Sequence, residues 1–263
     1  CFTVCAFPVP TAEAHRFGVI EVNAEGRIVG FEEKPESPKE IPGRPGWSFV
    51  SMGNYFAVKS VVQDILHENS SKQDTAHDFG KDIIPMIVAR GEPIYAYDFR
   101  ENTIPGQTHH YWRDVGAIDS LWEANMDLVA MEPKLNLYNR QWMIRTPHDN
   151  LPMAKMNSFR PVGNKCSQQF AVSGGSIIEA SYLNQSVLGR DVQVYGSEVV
   201  ESVIFSGVHI ESGCTVRRAI IDEGVIIPSG TCIGLNQEDD RRRGFFVDAS
   251  GIVVVPRGWT LQS

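Results

Sequence analysis

Two hydrophobic rhythms divide the chain of 263 residues. In the first half, short apolar runs alternate with turn-forming clusters and amphipathic stretches. Cys1-Phe2-Thr3-Val4-Cys5-Ala6-Phe7 is apolar enough for a buried strand, and it reads as one entered midway. Gly18–Val22 and residues 27–31 flank the turn-rich Asn23-Ala24-Glu25-Gly26 and predict a β-hairpin. Pro35, Pro38, Pro42 and Pro45 exclude helix from the next dozen residues and predict a surface loop. Residues 51–56 predict a returning strand. Its interior Gly53 suggests close approach of a ligand or another backbone.

Val61, Val62, Ile65 and Leu66 share one face of a helix predicted over residues 60–68. A second helix runs through Ile83, Ile84, Ile87 and Val88, with Asp78 as its cap and Pro85 expected to kink it. Residues 94–99 alternate like a strand. Ile118, Leu121, Trp122, Asn125, Leu128 and Val129 then place a helix over residues 117–131.

After a polar stretch punctuated by Pro147, Pro152 and Pro161, the period becomes six. Leu188, Val194 and Val200 form one set, Ile204, Ile210 and Val216 a second, and Ile221, Ile227 and Ile233 a third. Gly196, Gly207, Gly213, Gly224 and Gly230 fill the corners, and steps of four or five residues between sets make the repeat imperfect. This period excludes an amphipathic helix, and the lack of long alternating strands disfavours a sandwich. A parallel β-helix remains, in which each aliphatic residue points into a prism and stacks on the coil above.

Composition narrows the function. A formal net charge of −8 with mixed signs leaves no basic face, so nucleic acid is not expected as a partner. No apolar run is long enough to cross a bilayer, so no membrane association is expected. Cysteines at 1, 5, 166, 214 and 232 lack zinc-site spacing, and a Cys1–Cys5 pair alone is a poor metal site. A reduced, cytoplasmic protein is the expectation.

Candidate chemistry sits at strand ends. Glu33-Lys34 closes the hairpin where the proline-rich loop begins, offering an acceptor for sugar hydroxyls and a cation for a phosphate. Ser51 and Tyr55 add a hydroxyl and a phenol. Gly18 is either a simple turn glycine or a place where backbone approaches a ligand. Asp114, just before the helix over 117–131, either favours that helix's dipole or holds Mg²⁺ against phosphates. His77-Asp78 reads as a cap beside a surface histidine, and adjacent His109 and His110 point different ways from extended backbone. His209, the one histidine among the six-residue repeats, is either a corner residue or the general base of a β-helix acyltransferase.

Several stretches together resemble the bacterial glucose-1-phosphate adenylyltransferases. They are Phe17-Gly18-Val19, Phe31-Glu32-Glu33-Lys34-Pro35, Ser51-Met52-Gly53-Asn54-Tyr55, His77-Asp78-Phe79-Gly80-Lys81-Asp82, Tyr111-Trp112-Arg113-Asp114-Val115-Gly116, Trp142-Met143-Ile144-Arg145-Thr146 and Val172-Ser173-Gly174-Gly175. The resemblance spans nearly the whole chain. It implies an α/β Rossmann-like nucleotidyltransferase domain, incomplete here (residues 1–142), a connector (143–170) and a left-handed parallel β-helix (171–263). It implies that Gly18, Glu33, Lys34 and Ser51 contact glucose 1-phosphate, that Tyr55 and Trp112 line the same pocket, and that Asp114 is the later of two Mg²⁺-binding aspartates. Lys34 and Asp114 are then the catalytic pair, ATP is the second substrate, and the product ADP-glucose serves glycogen synthesis. A homotetramer and an anionic effector are also implied, with Arg241, Arg242, Arg243 and Arg257 as candidate effector contacts and Glu223 where relatives carry arginine.

The family's glycine-rich nucleotide loop and first metal-binding aspartate have no counterpart here, and no Gly-x-Gly-x-x-Gly or P-loop replaces them. The expectation is therefore the later part of a longer protein, inactive as an adenylyltransferase by itself. Alternatives are a non-catalytic regulatory subunit of the same fold and a nucleotidyltransferase for a different sugar or base.

Overall fold

The computed structural model describes residues 2–146, 149–157 and 166–260. Cys1, Pro147 and Pro161 lie outside the described residues. The chain forms two compact units, Cys1–Ile104 and Pro105–Ser263.

The first unit is built on strands β1 (Phe2–Pro10), β2 (Gly18–Val22), β3 (Ile28–Glu33), β4 (Trp47–Ala57) and β5 (Ile94–Asp98), in the spatial order β3-β2-β4-β1-β5. Among these strands only the β1–β5 pair is parallel. Phe2, Val4, Cys5 and Ala6 are all nearly inaccessible, which requires cover on both faces and explains why β1 reads as a continuous apolar run. The β2–β3 turn closes as its residues predict. Asn23 Oδ1 accepts from the Glu25 and Arg27 amides at 3.1 and 2.9 Å, and Gly26 takes the left-handed conformation.

Helices α1 (Thr11–Ala14), α2 (Lys59–Ser70) and α3 (Ile84–Ala89) fall between the strands in sequence, α1 after β1 and the other two between β4 and β5. Ile65 from α2 joins Ile83, Ile84 and Ile87 in the core with Phe2, Val4 and Ile20. One local expectation is corrected here, and another is corrected for backbone approach alone. Pro85 does not kink a helix. It occupies the first turn of α3, where a missing N–H is tolerated, and the chain enters through a wide π-helical turn, Phe79–Ile83. Gly53 meets no close neighbour; a Cβ there would have nothing within 4 Å. It supplies a φ of 74° in a bulge where Ser51 pairs with Ala6 and Tyr55 with Val4, so that three β4 residues lie opposite Cys5 alone.

The second unit is a prism of parallel strands in three columns. The first stacks β6 (Lys155–Asn157), β8 (Ile177–Glu179), β10 (Gln193–Tyr195), β13 (His209–Ile210) and β16 (Ile226–Ile227). The second stacks the start of β9 (Tyr182–Leu188) with β11 (Glu198–Val200), β14 (Thr215–Arg217) and β17 (Cys232–Ile233). The third stacks β7 (Gln168–Val172), the end of β9, β12 (Val203–Ile204), β15 (Ala219–Ile221) and β19 (Val253–Val255), and β18 (Phe246–Val247) pairs antiparallel with β19.

The inward residues follow this register. Ile178, Val194, Ile210 and Ile227 fill one column, and Leu183, Val199, Val216 and Ile233 the next. The core position in the first set is therefore Val199, not Val200, because the step from Val194 is five residues rather than six. The chain makes the two steps with different corners. Most six-residue corners use glycine in the left-handed region, as at Gly207, Gly213, Gly224 and Gly230 with φ of 68–78°, while Asp191 takes a φ of 55° between Leu188 and Val194. Five-residue corners use Gly196 with φ of 51° or Ala180, Gln185, Glu201 and Arg218 with φ of 44–50°, a conformation that costs non-glycine residues about 1 kcal/mol or more.

A buried serine follows three of these tight corners. Ser181, Ser186 and Ser202 each donate to the carbonyl two residues back at 2.7–2.8 Å. Each Oγ also accepts an amide from the next coil, namely Ser197, Ser202 and Ala219 at 3.2–3.3 Å. Ser197, after Gly196, accepts from Cys214 in the same way at 2.9 Å. The hydroxyls thus satisfy amides that the shortened corners would leave buried without acceptors.

Helix α4 (Ile118–Val129) lies along the third column. Ile118, Leu121, Trp122 and Met126 pack on Val203, Ile220 and Ile252. Trp122 Nε1 donates to the Glu201 carbonyl at 2.7 Å, and the Arg218 guanidinium lies over the Trp122 ring, 4.6 Å from its centroid. The helix is therefore pinned to two stacked tight corners of its own unit. Helix α5 (Gln237–Arg242), capped by Asn236, closes the far end between β17 and β18.

Candidate functional site

In the first unit the expected residues gather at one end of β2, β3 and β4. Gly18 pairs with Glu33 across the hairpin. A Cβ at Gly18 would stand 2.6 Å from Phe31 Cζ and 2.8 Å from Glu33 Oε2, so only glycine leaves the Glu33 carboxylate in place. Gly80 flanks the same carboxylate from the π-helical turn; its Cβ would stand 3.3 Å from Glu33 Oε2 and 3.2 Å from Phe31. Glu33 thus lies between two glycines against the Phe31 ring.

Lys34 follows the last residue of β3 and takes a left-handed φ of 52° while its amide donates to the Phe17 carbonyl at 3.0 Å. Its side chain is exposed at the strand end, and the left-handed φ is a strained conformation for a lysine. Tyr55 stacks on Phe79 with ring centroids 4.9 Å apart and planes 14° from parallel. Burial pushes the Tyr55 hydroxyl pKa up. A hydrogen bond from Ser51 opposes the shift, and the Asp78 and Glu33 carboxylates reinforce it. Gly18, Glu33, Ser51 and Tyr55 therefore form one neighbourhood, with Lys34 adjoining through the chain.

The neighbourhood includes residues that sequence reasoning treated as structural. Asp78 is a cap, accepting from the Gly80 and Lys81 amides at 2.8 and 2.9 Å, and its charge also reaches Tyr55. Phe79 is the floor beneath Tyr55. No sequence signal marked them, because a capping aspartate explains itself locally. His77 also has a left-handed φ of 54°, and its Nδ1 lies 2.9 Å from the buried Asn69 amide oxygen.

Trp112 and Asp114 belong to the second unit, within a segment from 102 to 117 that has neither helix nor strand. Side chains hold it instead. Tyr111 Oη donates to Asp127 Oδ2 at 2.9 Å, and Arg113 donates to the same oxygen from Nε at 3.0 Å and Nη2 at 2.8 Å. Arg113 Nη1 adds a bond to Glu123 at 2.6 Å. Burial pushes the Tyr111 pKa up, and its hydrogen bond to Asp127 adds to the rise. Trp112 is half-buried and Asp114 is exposed, with its carboxylate 3.3 Å from where a Gly116 Cβ would stand. Among the described residues no group of three or more His, Cys, Asp or Glu side chains gathers to hold a metal ion.

The four arginines divide by environment. Arg243 donates to the Cys232 carbonyl and to Asp240 at 2.7 Å, and lies over the Phe245 ring. Asp240 is fully buried. Arg257 pairs with Glu223, whereas Arg241 and Arg242 are exposed on α5. His209 sits within a strand of the first column, its ring 5.5 Å from that of Tyr195.

The nucleotidyl transferase family profile matches residues 1–131. A GlmU-like, C-terminal hexapeptide profile matches residues 152–255, which the stacked columns explain. Over nearly its whole length the chain is similar to proteins named glucose-1-phosphate adenylyltransferase. It is 42% identical to that of Deinococcus radiodurans over 262 residues, covering 98% of this chain and 63% of the relative. For Photobacterium profundum the identity is 45% over 262 residues, with 97% and 63% coverage. For Vibrio vulnificus it is 44% over 260 residues, again with 97% and 63%. The chain spans about 63% of the length of the curated relatives it matches. Nucleotidyltransferases of this kind work with divalent metal ions. No described helix is long and apolar enough to cross a membrane.

Proposed function

We propose that this chain carries the sugar-phosphate half of a glucose-1-phosphate adenylyltransferase. The observation that supports it most is the Glu33 carboxylate held between Gly18 and Gly80 beside a Tyr55–Phe79 stack, with the Lys34 amine at the adjoining strand end. A hexose needs hydroxyl acceptors and a flat apolar floor, and its 1-phosphate needs a cation. Glu33 and Ser51 supply the polar contacts, Tyr55 lines the pocket, and Lys34 meets the phosphate. The proposed reaction is attack by a phosphate oxygen of glucose 1-phosphate on the α-phosphorus of ATP. The new P–O bond forms as the bond to the β-phosphate oxygen breaks, and pyrophosphate leaves.

Such a transfer depends on alignment and charge neutralisation rather than on a covalent enzyme intermediate. Lys34 offsets charge on the attacking phosphate, and its fixed position at the end of β3 orients that oxygen. Asp114 is the residue proposed to hold Mg²⁺, which when bound would neutralise the triphosphate. As a 263-residue polypeptide without a Gly-x-Gly-x-x-Gly loop, the chain is proposed not to turn over alone. The whole protein is proposed to form a homotetramer that answers to an anionic effector at Arg241 and Arg242. A pyrophosphate-release assay with ATP, glucose 1-phosphate and Mg²⁺ tests the reading. The chain extended to the length of its relatives should turn over, and Lys34→Ala should raise its glucose 1-phosphate requirement at least tenfold. An unchanged requirement in Lys34→Ala would refute the assignment.

A further inference from the structure

We propose that Asp127 is a positioning residue for Asp114, acting through Tyr111 and Arg113. The inference rests on the reading that Asp114 holds a divalent cation. A metal ligand must be fixed to a fraction of an ångström, and backbone pairing usually supplies that rigidity. Residues 102 to 117 have no helix or strand to do so, and Asp114 itself is exposed. What the segment has is a clamp. Three donors, one from Tyr111 and two from Arg113, converge on the single oxygen Oδ2 of Asp127 at 2.8–3.0 Å.

The fourth contact, from Arg113 to Glu123, comes from one turn earlier on the same face of α4. Charge-assisted and forked, this grip fixes both the height and the rotation of the chain next to Asp114. Its mount is rigid as well. Between Glu123 and Asp127, α4 buries Met126 against the prism, and the preceding Trp122 is bonded to the Glu201 carbonyl. A line of direct contacts thus runs from the β-helix corners through α4 and Asp127 to the residue beside Asp114.

Two measurements test this. The first is hydrogen exchange on the 263-residue chain, comparing wild type with Asp127→Ala and with Arg113→Met, which leaves α4 unaltered. Exchange across 105–117 should accelerate at least tenfold in both variants while β14 and β15 keep their protection. Unchanged exchange across 105–117 would overturn the proposal. The second is the Mg²⁺ requirement of the chain extended to its relatives' length. Asp127→Ala should raise it at least tenfold and the glucose 1-phosphate KM less than threefold, with Asp114→Asn as the parallel variant. If Asp114→Asn raises the Mg²⁺ requirement and Asp127→Ala does not, the positioning role is wrong. If Asp114→Asn leaves it unchanged, the metal reading falls and the proposal with it, a failure the exchange data keep distinct.

Discussion

Replacing Arg243 with alanine should damage the fold far more at neutral pH than in acid. Asp240 is fully inaccessible, and its charge is matched by Arg243 Nη2 at 2.7 Å and by the Gly234 amide at 3.1 Å. Truncating one partner of a buried ion pair leaves an uncompensated charge, typically costing about 3–5 kcal/mol. That is a large share of the ~5–15 kcal/mol by which a domain is stable. Burial raises the Asp240 pKa above its ordinary value even with Arg243 beside it. Because the folded pKa exceeds the unfolded one, the group's favourable contribution is complete below the unfolded pKa and is lost as pH rises through the folded one.

Without Arg243 the folded pKa climbs further, so the penalty should grow from about pH 4.5 toward pH 7. Urea denaturation followed by circular dichroism at both pH values measures it. The expected loss is about 3–5 kcal/mol at pH 7 and clearly less at pH 4.5, and Asp240→Asn in the Arg243→Ala background should recover part of the neutral-pH loss. An equal loss at both pH values would mean that packing on Phe245 and the Cys232 carbonyl, not charge, explains the arginine. Either way, a lost effector response in Arg243→Ala would report a damaged fold, leaving the exposed Arg241 and Arg242 as the informative effector substitutions.

Other consequences are simpler. Ser202→Ala removes the acceptor for the Ala219 amide and should cost about 1–3 kcal/mol, since that N–H is left buried and unpaired. For a unit of this size that is a fall of about 2–4 °C in Tm per kcal/mol, and a change within half a degree would refute the serine-ladder account. Gly18→Ala should destabilise the first unit by about 1–3 kcal/mol through overpacking on Phe31 and weaken glucose 1-phosphate binding by displacing Glu33. Gly80→Ala, with wider clearances, should be milder on both counts in thermal denaturation and titration, and the reverse order would contradict the geometry.

The β-helix was legible because its period is set by burial: inward positions are aliphatic, and six-residue corners favour glycine, with Asp191 as an exception. Its five-residue steps were less so. Ala180, Gln185, Glu201 and Arg218 take a glycine-like conformation without glycine, and the signal is the small residue that follows each of them, Ser181, Ser186, Ser202 and Ala219. That is why Val200 was mistaken for the core residue Val199. In the first unit, strands and helices followed from periodicity, but Gly53 had two physical uses and the bulge register decided between them. Glu33, Lys34, Ser51 and Tyr55 stood out as polar residues where strands meet loops. Asp78, Phe79 and Gly80 did not, since a capping aspartate fully explains itself locally and its nearness to Tyr55 is a tertiary fact. The Asp127 clamp was hidden for the same reason, with partners fourteen and sixteen residues away.

The account stands on a phosphorylated hexose being held through Lys34 and Glu33. Isothermal titration of glucose 1-phosphate into the chain, with and without Lys34→Ala, asks this without requiring turnover. A lost charge-assisted contact is worth about 1.5–3 kcal/mol, so the variant should bind at least tenfold more weakly than wild type. Equal affinity of the two proteins for glucose 1-phosphate would contradict it.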